Sequence, residues 1–205
     1  MNRNQKGETP EKERSVMKNT IHTLQSTARP LALATLALVA LASVPFARAQ
    51  DDPRIPSLPS PLCDSLQVPE GNEVAFHAFA TGVQIYSWNG IKWAFVAPSA
   101  TLFADAGYNG QVGTHYAGPT WQSNSGSKVV GKKMAACTPD TNSIPWLKLV
   151  AVSSQGPGVF DGVTYVQRVN TVGGNAPGTP GTSVGQEEDM PYMAEYFFYS
   201  AAEAD

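Results

Sequence analysis

The sequence has little of what most catalytic and metal centres require. It contains two cysteines and three histidines in 205 residues. The zinc-protease pattern H-E-x-x-H is missing. The glycine-rich stretch 173–181 contains prolines where a phosphate-binding loop needs free backbone N–H groups. The sequence therefore predicts no cofactor and no metal site.

Basic residues are scarce outside the N-terminal region. Of 14 lysines and arginines, seven lie in residues 1–49, whereas only three of the 17 acidic residues do. Residues 50–205 therefore carry 7 basic and 14 acidic side chains, a net charge of −7. The densest basic run among them is Lys132-Lys133. Nucleic acids and anionic membranes are accordingly not predicted as partners.

The N-terminus has the layout of a cleavable export signal. Residues 1–29 are polar and charged, residues 31–44 are almost entirely Leu, Ala and Val, and an Ala-Arg-Ala exit follows at residues 47–49. The apolar run of 14 residues is shorter than the roughly 20 that cross a bilayer, which favours cleavage over a retained anchor. We predict a signal peptide at residues 1–49, with Met17 as an alternative start. The exported protein is then periplasmic or extracellular and has no integral membrane span.

The remainder divides into a linker, one domain and a tail. Residues 50–61 hold four prolines and predict an extended linker. Residues 62–201 form one domain of a length that buries its own core, and residues 202–205 are a tail. Cys63 and Cys137 both lie in this domain. In an oxidising compartment a disulfide between them is favoured, and two buried free thiols are the alternative.

Short β-type segments alternate with turn residues throughout the domain, and no window of a dozen residues has a clean helical period. Asn89-Gly90 predicts a hairpin with a type I′ turn, and a second hairpin is predicted around residues 124–126. The predicted strands are residues 74–80, 83–88, 92–97, 114–122, 127–134, 144–153, 159–170 and 192–200. This pattern predicts an all-β, single-domain fold, namely an antiparallel β-sandwich or barrel of seven or eight strands with little helix.

The segment from His115 to Trp121 is a candidate binding region. It has a histidine and a tryptophan on either side of a Gly-Pro corner, so both rings can face one concave surface. The alternative is a hydrogen-bonded histidine at a bend of the sheet.

A second candidate region is the strand that carries Gln167 and Arg168. Alternation puts these two residues on opposite faces of the strand. Arg168 lies among apolar neighbours, where a guanidinium needs an anionic partner. That partner is either Glu195, in a structural ion pair, or the carboxylate or phosphate of a ligand.

Several motifs resemble those of a known family. They are residues 82–86 (GVQIY), 115–121 (HYAGPTW), 126–131 (GSKVVG), 144–147 (IPWL), 163–171 (VTYVQRVNT), 173–177 (GGNAP) and 191–199 (PYMAEYFFY). In this order, across about residues 62–201, they resemble the secreted family named domain of unknown function 3455. The resemblance implies a bacterial-type member, with the cysteine pattern of Cys63 and Cys137. Because the family is uncharacterised, it implies no catalytic residue.

Two functions remain open from the sequence. The leading hypothesis is a non-enzymatic domain that binds a small ligand or a cell-envelope component, with His115, Trp121, Gln167 and Arg168 around one pocket. The alternative is a secreted enzyme, a hydrolase or a metal-dependent oxidase, that uses His77 and His115 as bases or ligands. The two hypotheses differ in whether the two histidines come together in the fold.

Overall fold

The computed structural model describes residues 55–203, so the predicted signal peptide at residues 1–49 lies outside them. The strands are, in chain order, β1 (Asn72–Trp88), β2 (Trp93–Phe103), β3 (Gln111–Tyr116), β4 (Thr120–Ser123), β5 (Lys128–Cys137), β6 (Trp146–Gln155), β7 (Val163–Gly173) and β8 (Glu187–Ala201). Within the described range these eight strands pair antiparallel in sequence order, and β8 pairs with β1 to close a barrel. The predicted all-β fold is confirmed, and the barrel is the architecture that forms. The one helical element between residues 55 and 203 is a 3₁₀ turn, Asp64–Leu66. No helix within these residues is long and apolar enough to cross a bilayer.

The observed strands differ from the predicted ones in how two segments divide and in several ends: β2 continues to Phe103 and β8 begins at Glu187. Residues 74–80 and 83–88 belong to one long strand, β1, because the residues between them pair on both sides. Residues 114–122 form two strands, β3 and β4, which pair with each other across a turn at residues 117–119. The second predicted hairpin, around residues 124–126, joins β4 to β5 as expected.

The hairpin between β1 and β2 forms, but its predicted type I′ turn is wrong. That turn needs a positive φ at both central residues, and of Asn89 and Gly90 only Gly90 has one, at 93°. Trp88 and Trp93 pair across the hairpin, so the loop between them contains four residues. The side-chain Oδ1 of Asn89 accepts hydrogen bonds from two backbone N–H groups of this loop, each at 2.9 Å. These two hydrogen bonds stabilise the four-residue loop, which forms in place of the predicted two-residue turn.

Aromatic side chains fill one end of the barrel. Phe160, from the loop between β6 and β7, is fully buried and lies 4.6 Å from Phe198 between ring centroids. Phe76 meets Phe160 edge to face at 5.8 Å. Trp121 meets Phe198 edge to face at 5.9 Å. An eight-stranded barrel is just wide enough for side chains to fill it, so this cluster closes one end.

The segment before β1 packs on the outside of the barrel. The predicted disulfide between Cys63 and Cys137 is present, with 5.4 Å between the Cα atoms, and it joins this segment to β5. Leu66 is completely buried in a cluster that includes Trp146 of β6, Val169 of β7 and Phe197 of β8. Leu58, inside the predicted linker, contacts the same cluster. The barrel wall is therefore covered on both faces in this region.

Candidate ligand-binding cavity

The end of the barrel opposite Phe160 contains a cavity of about 520 Å³. Its lining includes buried residues such as His115 and Tyr196 and exposed ones such as Phe95 and Pro145, so the cavity runs from the barrel interior to solvent. The complete lining is Gln84, Tyr86, Phe95, Val96, Pro98, His115, Gly118, Pro119, Trp121, Lys133, Ile144, Pro145, Leu147, Leu149, Arg168 and Tyr196.

His115 and Trp121 are stacked in the buried part of this cavity. They are register partners on β3 and β4, and their ring centroids lie 4.4 Å apart with the planes inclined by 9°. Trp121 also meets Tyr196 edge to face at 5.4 Å. The structure thus brings together the two residues that the sequence has on either side of the Gly-Pro corner.

Hydrogen bonding and burial fix the protonation of His115. Its Nδ1 lies 2.9 Å from the carbonyl oxygen of Thr120. A carbonyl oxygen can only accept, so Nδ1 carries the proton and Nε2 is an acceptor. Burial, assisted by the charge of Arg168, lowers the pKa of His115 to about 3, although the hydrogen bond to Thr120 acts in the other direction. The imidazole is therefore neutral at physiological pH.

Arg168 lines the cavity from β7. Its Nε and Nη2 donate hydrogen bonds to the carbonyl oxygen of Pro145, at 3.3 and 2.7 Å. The suggested ion pair with Glu195 is wrong, because Arg168 is in register with Tyr196, and the neighbouring Glu195 faces the other side of the barrel wall. In the part of the chain that the structure describes, the one side-chain ion pair joins Glu195 to His77, so Arg168 has no carboxylate partner there.

Three tyrosine hydroxyls lie near Arg168. Those of Tyr192 and Tyr196 are 3.3 Å apart, and that of Tyr86 donates a hydrogen bond to a backbone carbonyl at 2.8 Å. Burial raises the pKa of all three phenols, while the positive charge of Arg168 acts to lower it. All three therefore remain neutral at physiological pH.

Two buried N–H groups of the lining have no acceptor among residues 55–203. They are the side-chain amide Nε2 of Gln84 and the indole Nε1 of Trp121. The two side chains are 2% and 1% exposed. An indole nitrogen can only donate, and buried donors in proteins nearly always have a partner. The indole of Trp121 therefore favours an acceptor supplied from outside the chain, whereas the amide of Gln84 also lies near the hydroxyl of Tyr192.

Gln167 lies on the outer face of β7 and does not line the cavity. Its amide nitrogen donates to the carbonyl oxygen of Leu66 at 2.6 Å, and its amide oxygen accepts a hydrogen bond from the hydroxyl of Tyr199. Because successive residues on a strand face opposite sides, Arg168 inside the barrel requires Gln167 outside it. There Gln167 connects the N-terminal segment to the barrel wall.

His77 also lies on the outer face of the barrel. Its ring stacks on Phe197 with 4.0 Å between centroids, and its Nε2 lies 2.9 Å from a carboxylate oxygen of Glu195. The other oxygen of Glu195 accepts a hydrogen bond from Asn170 at 2.9 Å. The hydrogen bond from His77 holds the pKa of Glu195 below its usual value. His77 and His115 thus face opposite sides of the wall, so the structure does not unite the two histidines of the enzyme hypothesis.

Two further patterns also lack the geometry of a catalytic centre. Among residues 55–203, no three His, Cys, Asp or Glu side chains are arranged to hold a metal ion. Residues 181–185 fit the letters G-x-S-x-G. They lie in the loop between β7 and β8, whereas the nucleophilic serine of that pattern stands between a strand and a helix.

Several lining residues were missed from the sequence, notably Gln84, Tyr86, Lys133 and Tyr196. Gln84 and Tyr86 lie two apart on a predicted strand, so alternation puts them on one face. The signal that could have identified this face is Gln84, a polar residue between apolar neighbours. The strand pattern alone does not show which face is inward.

Neither a search of the curated proteins nor a search of the solved structures gave a match. The profile of the family described as "Protein of unknown function (DUF3455)" matches residues 69–200. This span is more than half of the chain, and it is the family whose motifs the sequence resembles. The chain therefore belongs to the DUF3455 family.

Proposed function

We propose that this chain binds a small ligand in the cavity of its barrel. The observation that carries the proposal is a cavity of about 520 Å³ with mostly apolar walls and a few polar groups directed at one space. Sites for small molecules have this composition and volumes of roughly 300 to 1,000 Å³. Eight-stranded barrels hold one small ligand when side chains do not fill the whole interior.

The positions of the lining residues favour ligand binding as the function of the cavity, rather than catalysis in which His115 acts as a base. The polar groups His115, Trp121 and Arg168 all stand on strands, which hold side chains more rigidly than loops do. A histidine whose pKa is about 3 is a weak general base at neutral pH. Its neutral ring and the stacked indole instead offer a fixed surface for a ligand.

We also propose that the protein acts outside the cytoplasm. Support comes from the leader-like residues 1–49 and from the disulfide between Cys63 and Cys137, since such bonds persist in oxidising compartments. Intact mass measurement of the protein recovered from cell fractions tests this. We expect the N-terminus at Gln50 and oxidised cysteines in the periplasm or medium. Recovery in the cytoplasm with residues 1–49 intact contradicts export.

Binding can be tested with phenylnaphthylamine, a neutral apolar fluorophore that brightens when it leaves water. We expect saturable binding to the purified protein. Replacing Leu147, a lining residue on β6, by tryptophan places an indole ring in the cavity, and we expect L147W to abolish the saturable signal.

The matched control for L147W is V152W. Val152 lies on the same strand, is 58% exposed and does not line the cavity, so this variant adds the same side chain outside the site. Urea unfolding is the measurement that checks that both variants fold. Equal dye binding by L147W and the unmodified protein, or no saturable binding by the latter, refutes the proposed function.

A further inference from the structure

We infer that the ligand of this cavity is an amphipathic anion: a carboxylate, phosphate or similar group lies against Arg168 and Lys133, and an apolar body occupies the remaining space. This inference rests on the proposed function, because it names the class of ligand that the cavity takes. Charge distribution, unpaired donors and the apolar part of the lining each support it.

The cavity is cationic within an acidic domain. Residues 55–203 contain eleven acidic and six basic side chains. Two of the six basic ones, Lys133 and Arg168, line the cavity, and none of the eleven acidic ones does. Like charges in a concave, partly apolar site focus their potential and raise the local concentration of the opposite charge. The cavity thus favours anions although the domain as a whole repels them.

Arg168 is the group best arranged to receive the anion. Its guanidinium is half-buried and held in place through Nε and Nη2 by the carbonyl oxygen of Pro145. The neutral hydroxyl of Tyr196 is also close to the guanidinium, whereas no carboxylate of the described residues pairs with it. A carbonyl oxygen does not neutralise the charge, and a partly buried cation without a counter-charge is unfavourable. A bound anion would supply the missing partner in the geometry that guanidinium groups prefer.

The unsatisfied hydrogen-bonding groups of the lining are of one kind. The buried amide Nε2 of Gln84 and the indole Nε1 of Trp121 both donate. With the cations of Arg168 and Lys133 they give the lining four donor residues, whereas no carboxylate of residues 55–203 lines the cavity. A ligand rich in acceptor oxygens matches this set.

The rest of the lining calls for an apolar body rather than a small inorganic ion. Ile144, Leu147 and Leu149 line the interior, and Phe95 and Val96 line the cavity while remaining 54% and 51% exposed. Exposed apolar side chains beside a cavity are typical of a surface that a ligand covers. An inorganic ion held at Arg168 would leave these side chains in contact with water.

Two dyes that differ by one sulfonate group test the inference. Anilinonaphthalenesulfonate is the anionic counterpart of the neutral phenylnaphthylamine. We expect R168Q to raise the Kd of the sulfonate about tenfold, the loss expected for one hydrogen bond to a charged group. The Kd of the neutral dye should change by less than about twofold, since it has no charge for Arg168 to meet. R168K keeps the charge and should recover part of the sulfonate affinity.

Lys133 and Lys132 provide a matched pair of variants. They are neighbours on β5, both exposed, but only Lys133 lines the cavity. We expect K133Q to raise the Kd of the sulfonate dye about two- to fivefold, as for the loss of an exposed charge pair. K132Q should leave this Kd unchanged. Displacement of the neutral dye by decanoate and by decyl phosphate, with decanol as the uncharged reference, then distinguishes a carboxylate from a phosphate ligand.

Failure of this inference and failure of the proposed function give different results. If both dyes bind, L147W blocks both, and R168Q affects the two equally, the cavity binds ligands but does not select anions. If decanol displaces the neutral dye at a lower concentration than either anion does, the conclusion is the same. If neither dye binds in a way that L147W blocks, the proposed function itself fails.

Discussion

His115 stacks on Trp121 with its ring inclined by only 9° to the indole plane, while its Nδ1 donates to the carbonyl oxygen of Thr120. The two stacked residues lie on the loop-linked pair β3 and β4, where register places them side by side. Burial favours the neutral imidazole, because protonation would place a charge there with no counter-ion. This relationship has a consequence for the pH dependence of folding.

Stability should fall as the pH drops from neutral toward acid. The folded-state pKa of His115 is about 3, below its ordinary value of 6.5, so the unfolded chain binds a proton first. The contribution is complete above the unfolded pKa and is lost as the pH falls from there toward the folded pKa. Between about pH 7.5 and about pH 5 we expect a loss of about 2 kcal/mol in the free energy of unfolding. Urea unfolding at the two pH values measures it.

The control for this pH effect is H115N, which keeps a side-chain donor near the position of Nδ1 but does not titrate. We expect its free energy of unfolding to change by about 2 kcal/mol less than that of the unmodified protein over the same interval. Glu195 has its pKa lowered by His77, so its contribution is present above its usual pKa of 4.5 and is lost below it, outside this window. Equal pH dependence of both proteins would show that His115 is not held neutral.

Reduction of the disulfide should destabilise the domain strongly. Cys63 and Cys137 are 74 residues apart, and closing a loop of this length restricts the unfolded chain by about 4.5 kcal/mol in the chain-entropy description. Urea unfolding with and without dithiothreitol measures the difference. The variant C63A/C137A should be insensitive to dithiothreitol and about as unstable as the reduced protein. The prediction is contradicted if the unfolding midpoint of the unmodified protein is the same with and without dithiothreitol.

The strands were predictable from the sequence because their signals are local. Alternating apolar residues and the turn residues around 124–126 mark the strand ends within short windows. Closure was not predictable, since it requires β1 to pair with β8 from the other end of the domain. The same alternation suits a sandwich and a barrel, so the pattern left both open. Gly82 illustrates the limit: it lies between two predicted strands, 74–80 and 83–88, yet in the structure it pairs on both sides within β1.

Three of the four candidate site residues, His115, Trp121 and Arg168, line one cavity, and Gln167 does not. Alternation already separated Gln167 from Arg168, but only barrel closure decides which of the two faces inward. The suggested partner Glu195 lies outward for the same reason. Lining residues from distant strands, such as Lys133, come together through tertiary register, which local sequence patterns do not reveal.

The position of Gln167 makes it a structural residue, and a variant can show this. Gln167 is 1% exposed and satisfies the carbonyl oxygen of Leu66 and the hydroxyl of Tyr199. We expect Q167M to lower the free energy of unfolding by about 1 to 3 kcal/mol, because both partners lose a buried hydrogen bond. The Kd of phenylnaphthylamine should stay unchanged.

Y199F is the matched control for Q167M, since it removes one of the same hydrogen bonds from the other side. The two effects on stability should be less than additive in the double variant, as for residues in contact. If Q167M folds but no longer binds the dye, Gln167 is part of the binding site and the prediction is wrong.

The close approach of β1 to β2 at Gly82 predicts a further difference between two glycines. A Cβ at Gly82 would lie 2.2 Å from the carbonyl oxygen of Ser99 and 2.5 Å from the Cα of Ala100, so G82A must push the strands apart. We expect a loss of about 3 kcal/mol, at the upper end for overpacking, since the contacts are backbone atoms that cannot rotate away. At Gly178 no heavy atom lies within 4 Å of the added carbon, and G178A should change stability by less than about 0.5 kcal/mol. Urea unfolding of the two variants side by side measures the contrast, and equal stabilities would mean that β1 and β2 are not this close at Gly82.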